Sequence, residues 1–258
     1  MLHAVIVGID RYRDPSIADL HCARADAEAM AQLIKRVHPA ERRMHVLLDE
    51  DATKRNVMVA IGETVPRLAT EPEDVVLLYF AGHGSPETGC GPDRASRYLV
   101  LHDTEYDSIY ATGVDMEREL PRWFERIIGP KLILSLIDAC FSGRAGGRTF
   151  EGPHLRQQRS DFRDTGPISL QALDLGEGRV MIGACDDDQV AREDRELGHG
   201  IFTHYVMQEP AGPRQVLTTI GLHSWYESVA RAVRTHTEGR QVPVINGRSV
   251  LAEIPYLW

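Results

Sequence analysis

Short apolar segments alternate with amphipathic segments along most of this 258-residue chain. Apolar runs with the length of buried strands lie at 4–10, 45–49, 74–82, 131–140 and 178–185. Apolar residues recur at helical spacing in 22–37, 53–68, 115–128, 201–207 and 217–235. With a strand at 97–103 outside the alternation and a closing strand at 243–249, the pattern predicts an α/β fold. Its central sheet would be mainly parallel and six-stranded, with helices on both faces.

Composition excludes several classes of protein. The chain has 29 Lys and Arg against 38 Asp and Glu, a net charge of −9, which argues against a general nucleic-acid partner. It contains no apolar run long enough for a membrane helix, and no basic segment precedes the first apolar run. Its four cysteines are far apart with no CxxC pair, as in proteins of a reducing compartment. We therefore expect a cytoplasmic protein without a membrane partner.

Residues capable of chemistry follow several predicted strands. Each of four apolar runs is followed by such a residue, namely Asp10, His83, Cys140 or Asp186. In parallel sheets, the binding or catalytic site usually lies at the carboxyl ends of the strands. His83 and Cys140 are 57 residues apart, enough for one crossover between neighbouring strands. The sequence thus predicts a Cys–His pair in which the imidazole activates the thiol. The alternative is a buried structural cysteine and an unrelated histidine.

Two local strings resemble the signatures of the caspase-like cysteine peptidases, most closely the metacaspases and their prokaryotic relatives. They are YFAGHG at 79–84 and LIDACFSG at 136–143. Further agreement lies in VGIDRY near the start, LHCARADAEAM at 20–30, RYLVLHDT at 97–104 and QVAREDRELGHGIFTHYV at 189–206. The resemblance covers about residues 4 to 206, and it implies the caspase–hemoglobinase form of the α/β fold.

The resemblance also implies roles for individual residues. Cys140 would be the nucleophile that forms a thioester, and His83 the general base and acid. The backbone N–H groups of Gly84 and Cys140 would form the oxyanion hole. The dyad of this family needs no third carboxylate, and no cofactor is required.

Two acidic residues match the positions with which metacaspases hold a substrate Arg or Lys. They are Asp26 and Asp138, which would face one guanidinium through paired hydrogen bonds. Alternatively, Asp26 complements a helix dipole and Asp138 holds a loop. Ala81 departs from the family, which often has Ser two residues before the His, lining that pocket. This departure leaves the balance between Arg and Lys open.

The segment 144–178 is polar and lacks apolar periodicity, which predicts a long exposed loop. We interpret the chain as one peptidase domain over 1–258, with a large-subunit-like part at 1–143, this linker, and a small-subunit-like part at 179–258. Family members are commonly cut in this region, which makes its arginines candidate processing sites: Arg144, Arg148, Arg156, Arg159 and Arg163. The alternative is an ordinary solvated loop.

An acidic run at 186–188 invites comparison with calcium sites, since many metacaspases respond to calcium. The run lacks EF-hand spacing, so no specific motif supports a metal site. The alternatives are that these acids belong to an ordinary solvated loop, or that they attract a basic peptide to the site.

The favoured hypothesis is a cysteine endopeptidase that cleaves proteins after basic residues, with Arg preferred over Lys, in a bacterial defence or regulated-death pathway. Its partners would be a protein or peptide substrate and an activating protease or regulator. Two alternatives stay open: a catalytically silent caspase-like binding scaffold, and an Asp-specific caspase.

Overall fold

The computed structural model describes residues 1–37, 42–86, 97–141, 148, 175, 177–186, 189–208 and 222–248. Its strands are β1 (Leu2–Gly8), β2 (Arg42–Leu48), β3 (Val75–Ala81), β4 (Gly84–Pro86), β5 (Arg97–Leu99), β6 (Val114–Asp115), β7 (Leu132–Asp138), β8 (Arg179–Gly183), β9 (Glu193–Asp194), β10 (His199–Gly200) and β11 (Val244–Arg248). Its α-helices are α1 (Ala23–Val37), α2 (Lys54–Val59), α3 (Val65–Leu68), α4 (Ile109–Thr112), α5 (Met116–Arg126), α6 (Ile201–Val206) and α7 (Leu222–His236). Within these ranges, no helix is long and apolar enough to cross a membrane.

The central sheet has six strands in the order β11-β8-β7-β3-β1-β2. The four pairings from β8 to β2 are parallel, and only β11 is antiparallel, at the edge. Strands β1, β3 and β7 are buried along their whole length, because apolar side chains cover both faces of the sheet. The predicted mainly parallel six-stranded sheet is confirmed.

The helix predicted over 53–68 begins where the sequence places it but is interrupted. The Thr53 side chain accepts a hydrogen bond from the Asn56 N–H and caps α2. A π-helical turn at 60–64 then separates α2 from α3. Pro66 lacks the N–H that would bond the Gly62 carbonyl, and the Arg126 guanidinium donates to that carbonyl instead, at 2.6 Å.

The strand predicted at 97–103 is shorter and lies outside the central sheet. β5 spans three residues and pairs antiparallel with β4 and β6 in a separate small sheet. The small sheet is connected to the loop after β3, because β4 begins at Gly84, the residue that follows His83.

Candidate active site

His83 and Cys140 follow neighbouring strands at the same edge of the sheet. β3 and β7 pair in parallel, with Ala81 opposite Asp138 at their carboxyl ends. His83 and Cys140 each come two residues after these paired ends. A hydrogen bond from the Gly82 N–H to the Asp138 carbonyl, 3.3 Å, continues the pairing beyond the strands. The topology therefore brings the two residues to one rim, as the Cys–His hypothesis requires.

Three hydrogen bonds hold the backbone and ring of His83 in place. Its N–H donates to the Tyr12 hydroxyl at 2.9 Å, and its carbonyl accepts from the Val100 N–H at 3.0 Å. Its Nε2 is 2.8 Å from the Ala18 carbonyl, so Nε2 carries the proton in the neutral ring and Nδ1 keeps its lone pair. Burial lowers the pKa of His83, against the opposing influence of the Ala18 and Arg148 backbones. The neutral form, which can accept a proton at Nδ1, is therefore favoured.

Cys140 is fully buried, and its thiol donates to the Gln189 carbonyl at 2.7 Å. The backbone N–H of Cys140 points to another acceptor, the carbonyl oxygen of Arg148, at 3.2 Å. The Gly84 N–H donates to the same oxygen at 3.0 Å. Two backbone donors thus converge on one carbonyl oxygen, which is the geometry of an oxyanion hole.

Gly84 has no room for a side chain at this point. A Cβ at Gly84 would lie 2.6 Å from the Cys140 carbonyl and 2.8 Å from the Phe141 ring. Only glycine allows the two donor segments to approach each other this closely.

The side chain of Arg148 lies in a fully buried pocket of carboxylates. Its Nη2 pairs with Asp26, its Nη1 lies 2.9 Å from an Asp138 oxygen, and Nη2 lies 3.4 Å from Glu193. The Arg148 N–H donates to the Ala191 carbonyl at 2.9 Å. The N–H, the carbonyl and the guanidinium of Arg148 are therefore all bound at the rim that carries His83 and Cys140.

Residues of β10 and of the first turn of α6 fix the two aspartates of the pocket. Asp26 accepts hydrogen bonds from His199 Nδ1 at 2.7 Å and from the Gly200 N–H at 3.0 and 3.2 Å. Asp138 accepts from the Thr203 hydroxyl at 2.6 Å and from the Thr203 N–H at 3.2 Å. These bonds leave one oxygen of Asp26 directed at the guanidinium and orient Asp138 towards it.

The charges in the pocket shift each other's pKa. Burial raises the pKa of Asp138 to about 6, with Arg148 and Thr203 opposing the rise and Asp26 adding to it. Burial would lower the pKa of Arg148, but Asp138 and Asp26 outweigh it and hold that pKa well above its usual value. The arginine thus stays charged, and Asp138 takes up a proton as the pH falls below about 6.

The remaining predicted residues fall into two groups. Ala81 is buried at the end of β3, and Asp10 accepts from the Ala23 N–H at 2.8 Å near the start of α1. Outside the described residues lie Asp187, Asp188 and four of the candidate processing arginines: Arg144, Arg156, Arg159 and Arg163. Among the residues that are described, no cluster of His, Cys, Asp and Glu could hold a metal ion.

Sequence reasoning missed the residues that complete the pocket, namely Glu193, His199, Gly200 and Thr203. All four lie in the stretch 189–206, whose resemblance to the caspase-like peptidases was the available signal. The occupation of the pocket by Arg148 had no signal beyond its place among five arginines of the linker.

The raised pKa of Asp138 predicts a pH dependence of stability. Between pH about 4 and about 6, the folded state keeps the Asp138 proton while the unfolded chain has lost it. We therefore expect the free energy of unfolding of the wild type, relative to Asp138→Asn, to fall as pH rises through this window and to level off above it. Urea denaturation at a series of pH values measures this difference.

Asp107→Asn, at an exposed carboxylate, serves as the control for that experiment. A wild-type minus Asp138→Asn difference that stays flat or rises between pH 4 and 6 would contradict the assignment.

Comparisons with known proteins agree on the fold and family. The profile of the caspase domain family, Peptidase_C14, matches residues 1–254. Protein GSU0716 from Geobacter sulfurreducens is similar in structure, with a TM-score of 0.63, 20% identity, and coverage of 95% of this chain and 93% of its own. Caspase-1 from Spodoptera frugiperda has a TM-score of 0.61 and 13% identity, with coverage of 95% of this chain and 86% of its own.

The comparison with curated proteins found no match. The two structural likenesses are below 25% identity and bear on the fold alone. The profile match spans nearly the whole chain and bears on the family. The chain therefore belongs to the caspase domain family of peptidases, and its central sheet is that of the caspase fold.

Proposed function

We propose that this protein is a metacaspase-like cysteine endopeptidase that cleaves after arginine through a Cys140–His83 dyad. The observation that carries the proposal is the position of Arg148. Its carbonyl accepts from the Gly84 and Cys140 N–H groups, its N–H pairs with Ala191, and its guanidinium meets Asp26 and Asp138. These are the three contacts that an arginine before a scissile bond would need at such a site.

In the proposed mechanism, His83 Nδ1 takes the proton of the Cys140 thiol as the sulfur attacks the carbonyl carbon. The carbonyl oxygen becomes an oxyanion between the N–H groups of Gly84 and Cys140. The carbon–nitrogen bond then breaks, the imidazolium gives its proton to the leaving amine, and a thioester remains. Water, deprotonated by His83, attacks the thioester, which releases the new carboxylate and restores the thiol.

The carboxylates favour a cationic side chain and disfavour aspartate. Asp26, Asp138 and Glu193 would repel a substrate carboxylate in a site without solvent. A guanidinium presents two nitrogens to two carboxylates, whereas an ammonium presents one centre. The pocket therefore supports Arg over Lys, and Lys over Asp.

The same contacts make Arg148–Thr149 the chain's own candidate substrate. Of the five arginines proposed as processing sites, Arg148 is the one within the described part of the chain. While it occupies the pocket and the oxyanion hole, a second substrate is excluded. We propose that cleavage of this bond in cis frees the site, which ties activity to processing.

The wider role is inferred from family resemblance. A cytoplasmic protease of this kind would cut a partner protein in a bacterial defence or regulated-death pathway. Family membership also admits a silent scaffold, but a binding module has no need of two oxyanion donors beside a thiol and an imidazole.

The peptidase proposal predicts that fluorogenic peptides ending in Arg are cleaved faster than Lys peptides, and that Asp peptides are not cleaved. Cys140→Ala and His83→Ala should each lower kcat/KM by at least roughly 1,000-fold, because the nucleophile or its base is lost. His223→Ala, at an exposed histidine of α7, is the matched control. Equal rates in all four proteins would refute the dyad.

Gly200 offers a test of the arginine pocket. A Cβ at Gly200 would lie 2.7 Å from an Asp138 oxygen and 2.8 Å from the Arg148 guanidinium carbon. We expect Gly200→Ala to lower kcat/KM for Arg peptides by about 10- to 100-fold, since the added methyl takes the volume of the guanidinium. Gly62→Ala is the control, because a Cβ there meets only ordinary contacts, at 3.7 Å. If Gly200→Ala folds and its kcat/KM for Arg peptides is unchanged, the proposal that this pocket binds the substrate arginine is wrong.

Self-processing is tested by intact-mass analysis during incubation of the purified protein. The wild type should yield fragments 1–148 and 149–258, whereas Cys140→Ala and Arg148→Gln should keep this bond intact. Arg122→Gln, on an exposed helix surface, is the control for loss of an arginine. For cleavage in cis, the rate should not depend on protein concentration.

An uncut wild type that still cleaves Arg peptides would refute self-processing and leave the peptidase proposal standing. An equal cut in wild type and Cys140→Ala would refute cleavage by Cys140.

A further inference from the structure

A second thiol lies beside Cys140. Cys185 comes two residues after β8, the strand that pairs in parallel with β7. The pairing continues past β8 through a hydrogen bond from the Ala184 N–H to the Ile137 carbonyl, 2.9 Å. Two cysteines thus follow adjacent strand ends, and the proposed reaction uses only one of them.

The two sulfurs share one acceptor. The Gln189 carbonyl is 2.7 Å from Cys140 Sγ and 3.6 Å from Cys185 Sγ, and the two thiols are hydrogen-bonded to each other. Both cysteines are buried in the same apolar cluster. Thiols in mutual contact at neighbouring strand ends need only a small movement to reach bonding distance.

We propose that Cys185 is the resolving thiol of Cys140, so that peroxide converts the pair into a reversible disulfide. The oxidised protein would have no nucleophile, and a dithiol reductant would restore it. The disulfide itself needs only the two thiols and the oxidant, so it does not depend on peptidase activity.

The chemistry balances in two steps. The Cys140 thiol gives up its proton, the resulting thiolate attacks one oxygen of hydrogen peroxide and becomes a sulfenic acid, and the released hydroxide takes up that proton to form water. The Cys185 thiol then loses its proton, attacks the sulfenic sulfur and displaces hydroxide, which leaves as a second water. Two electrons pass from the two sulfurs to one peroxide molecule.

The surroundings of Cys185 suit the second step. The hydrogen bond with Cys140, burial and the charge of Cys140 raise the pKa of Cys185 well above its usual value. Cys185 therefore remains a thiol while Cys140 reacts first. Oxidation of a Cys140 thiolate to a neutral sulfenic acid removes one of the influences that raise the pKa of Cys185, which favours the attack that follows.

The test treats the reduced protein with hydrogen peroxide, blocks remaining thiols and maps the peptides by mass spectrometry. Because Cys140 is fully buried and its backbone N–H is bonded to the Arg148 carbonyl, both the wild type and Arg148→Gln are treated. We expect a peptide pair linked through Cys140 and Cys185, 2 Da lighter than the sum of its parts, which separates again with dithiothreitol.

Variants separate the resolving role from mere proximity. In Cys185→Ser and Cys185→Ala, Cys140 should proceed to the sulfinic acid, a gain of 32 Da that dithiothreitol does not reverse. Cys22→Ser, at another buried cysteine, should form the disulfide as the wild type does. The absence of the linked pair in both treated proteins, or a reversible oxidation of Cys140 in both Cys185 variants, would overturn the proposal.

This mapping is independent of catalysis. If the protein cleaves no Arg peptide but the linked pair forms, the peptidase proposal fails and the redox pair stands. If Arg peptides are cleaved but no linked pair forms, the redox proposal fails and the peptidase proposal stands.

Discussion

The site depends on one balance of charge: a guanidinium enclosed by carboxylates in a space that excludes water. Asp26 and Asp138 are fully buried, and two such charges facing each other are unfavourable unless a cation lies between them. Removing one partner of a buried ion pair costs about 3–5 kcal/mol, so the pocket strongly favours being filled. This requirement accounts for both the arginine specificity that we propose and the position of Arg148.

The pocket assembles from segments that are remote in sequence. Asp26 comes from the first turn of α1, Asp138 from the end of β7 and Glu193 from β9. His199 and Gly200 of β10 then fix Asp26, and Thr203 in the first turn of α6 fixes Asp138. Because α6 comes after the linker, the part of the chain behind the linker completes a pocket begun by the part in front of it.

The shared edge of a parallel sheet explains why several functions meet here. Parallel strands place their carboxyl ends side by side, so the loops after β3, β7 and β8 are neighbours. The first carries His83, the second Cys140 and the third Cys185. The same geometry that brings the proposed base to the rim of the proposed nucleophile also brings a second thiol there, and this links the proposed peptidase chemistry to the proposed oxidative control.

The sequence alone predicted the α/β class, most strand positions and a common rim for His83 and Cys140. Apolar periodicity is a local pattern, and the carboxyl ends of parallel strands share one edge of a sheet. Asp26 and Asp138 were also accessible, through resemblance rather than spacing. The π-turn at 60–64 required knowledge that Pro66 and Arg126 meet at the Gly62 carbonyl, a contact between distant residues. Likewise, only the tertiary structure decided which of five linker arginines fills the pocket and that Cys185 contacts Cys140. Both outcomes depend on packing between segments far apart in the chain, and no periodic pattern in the sequence indicates either of them.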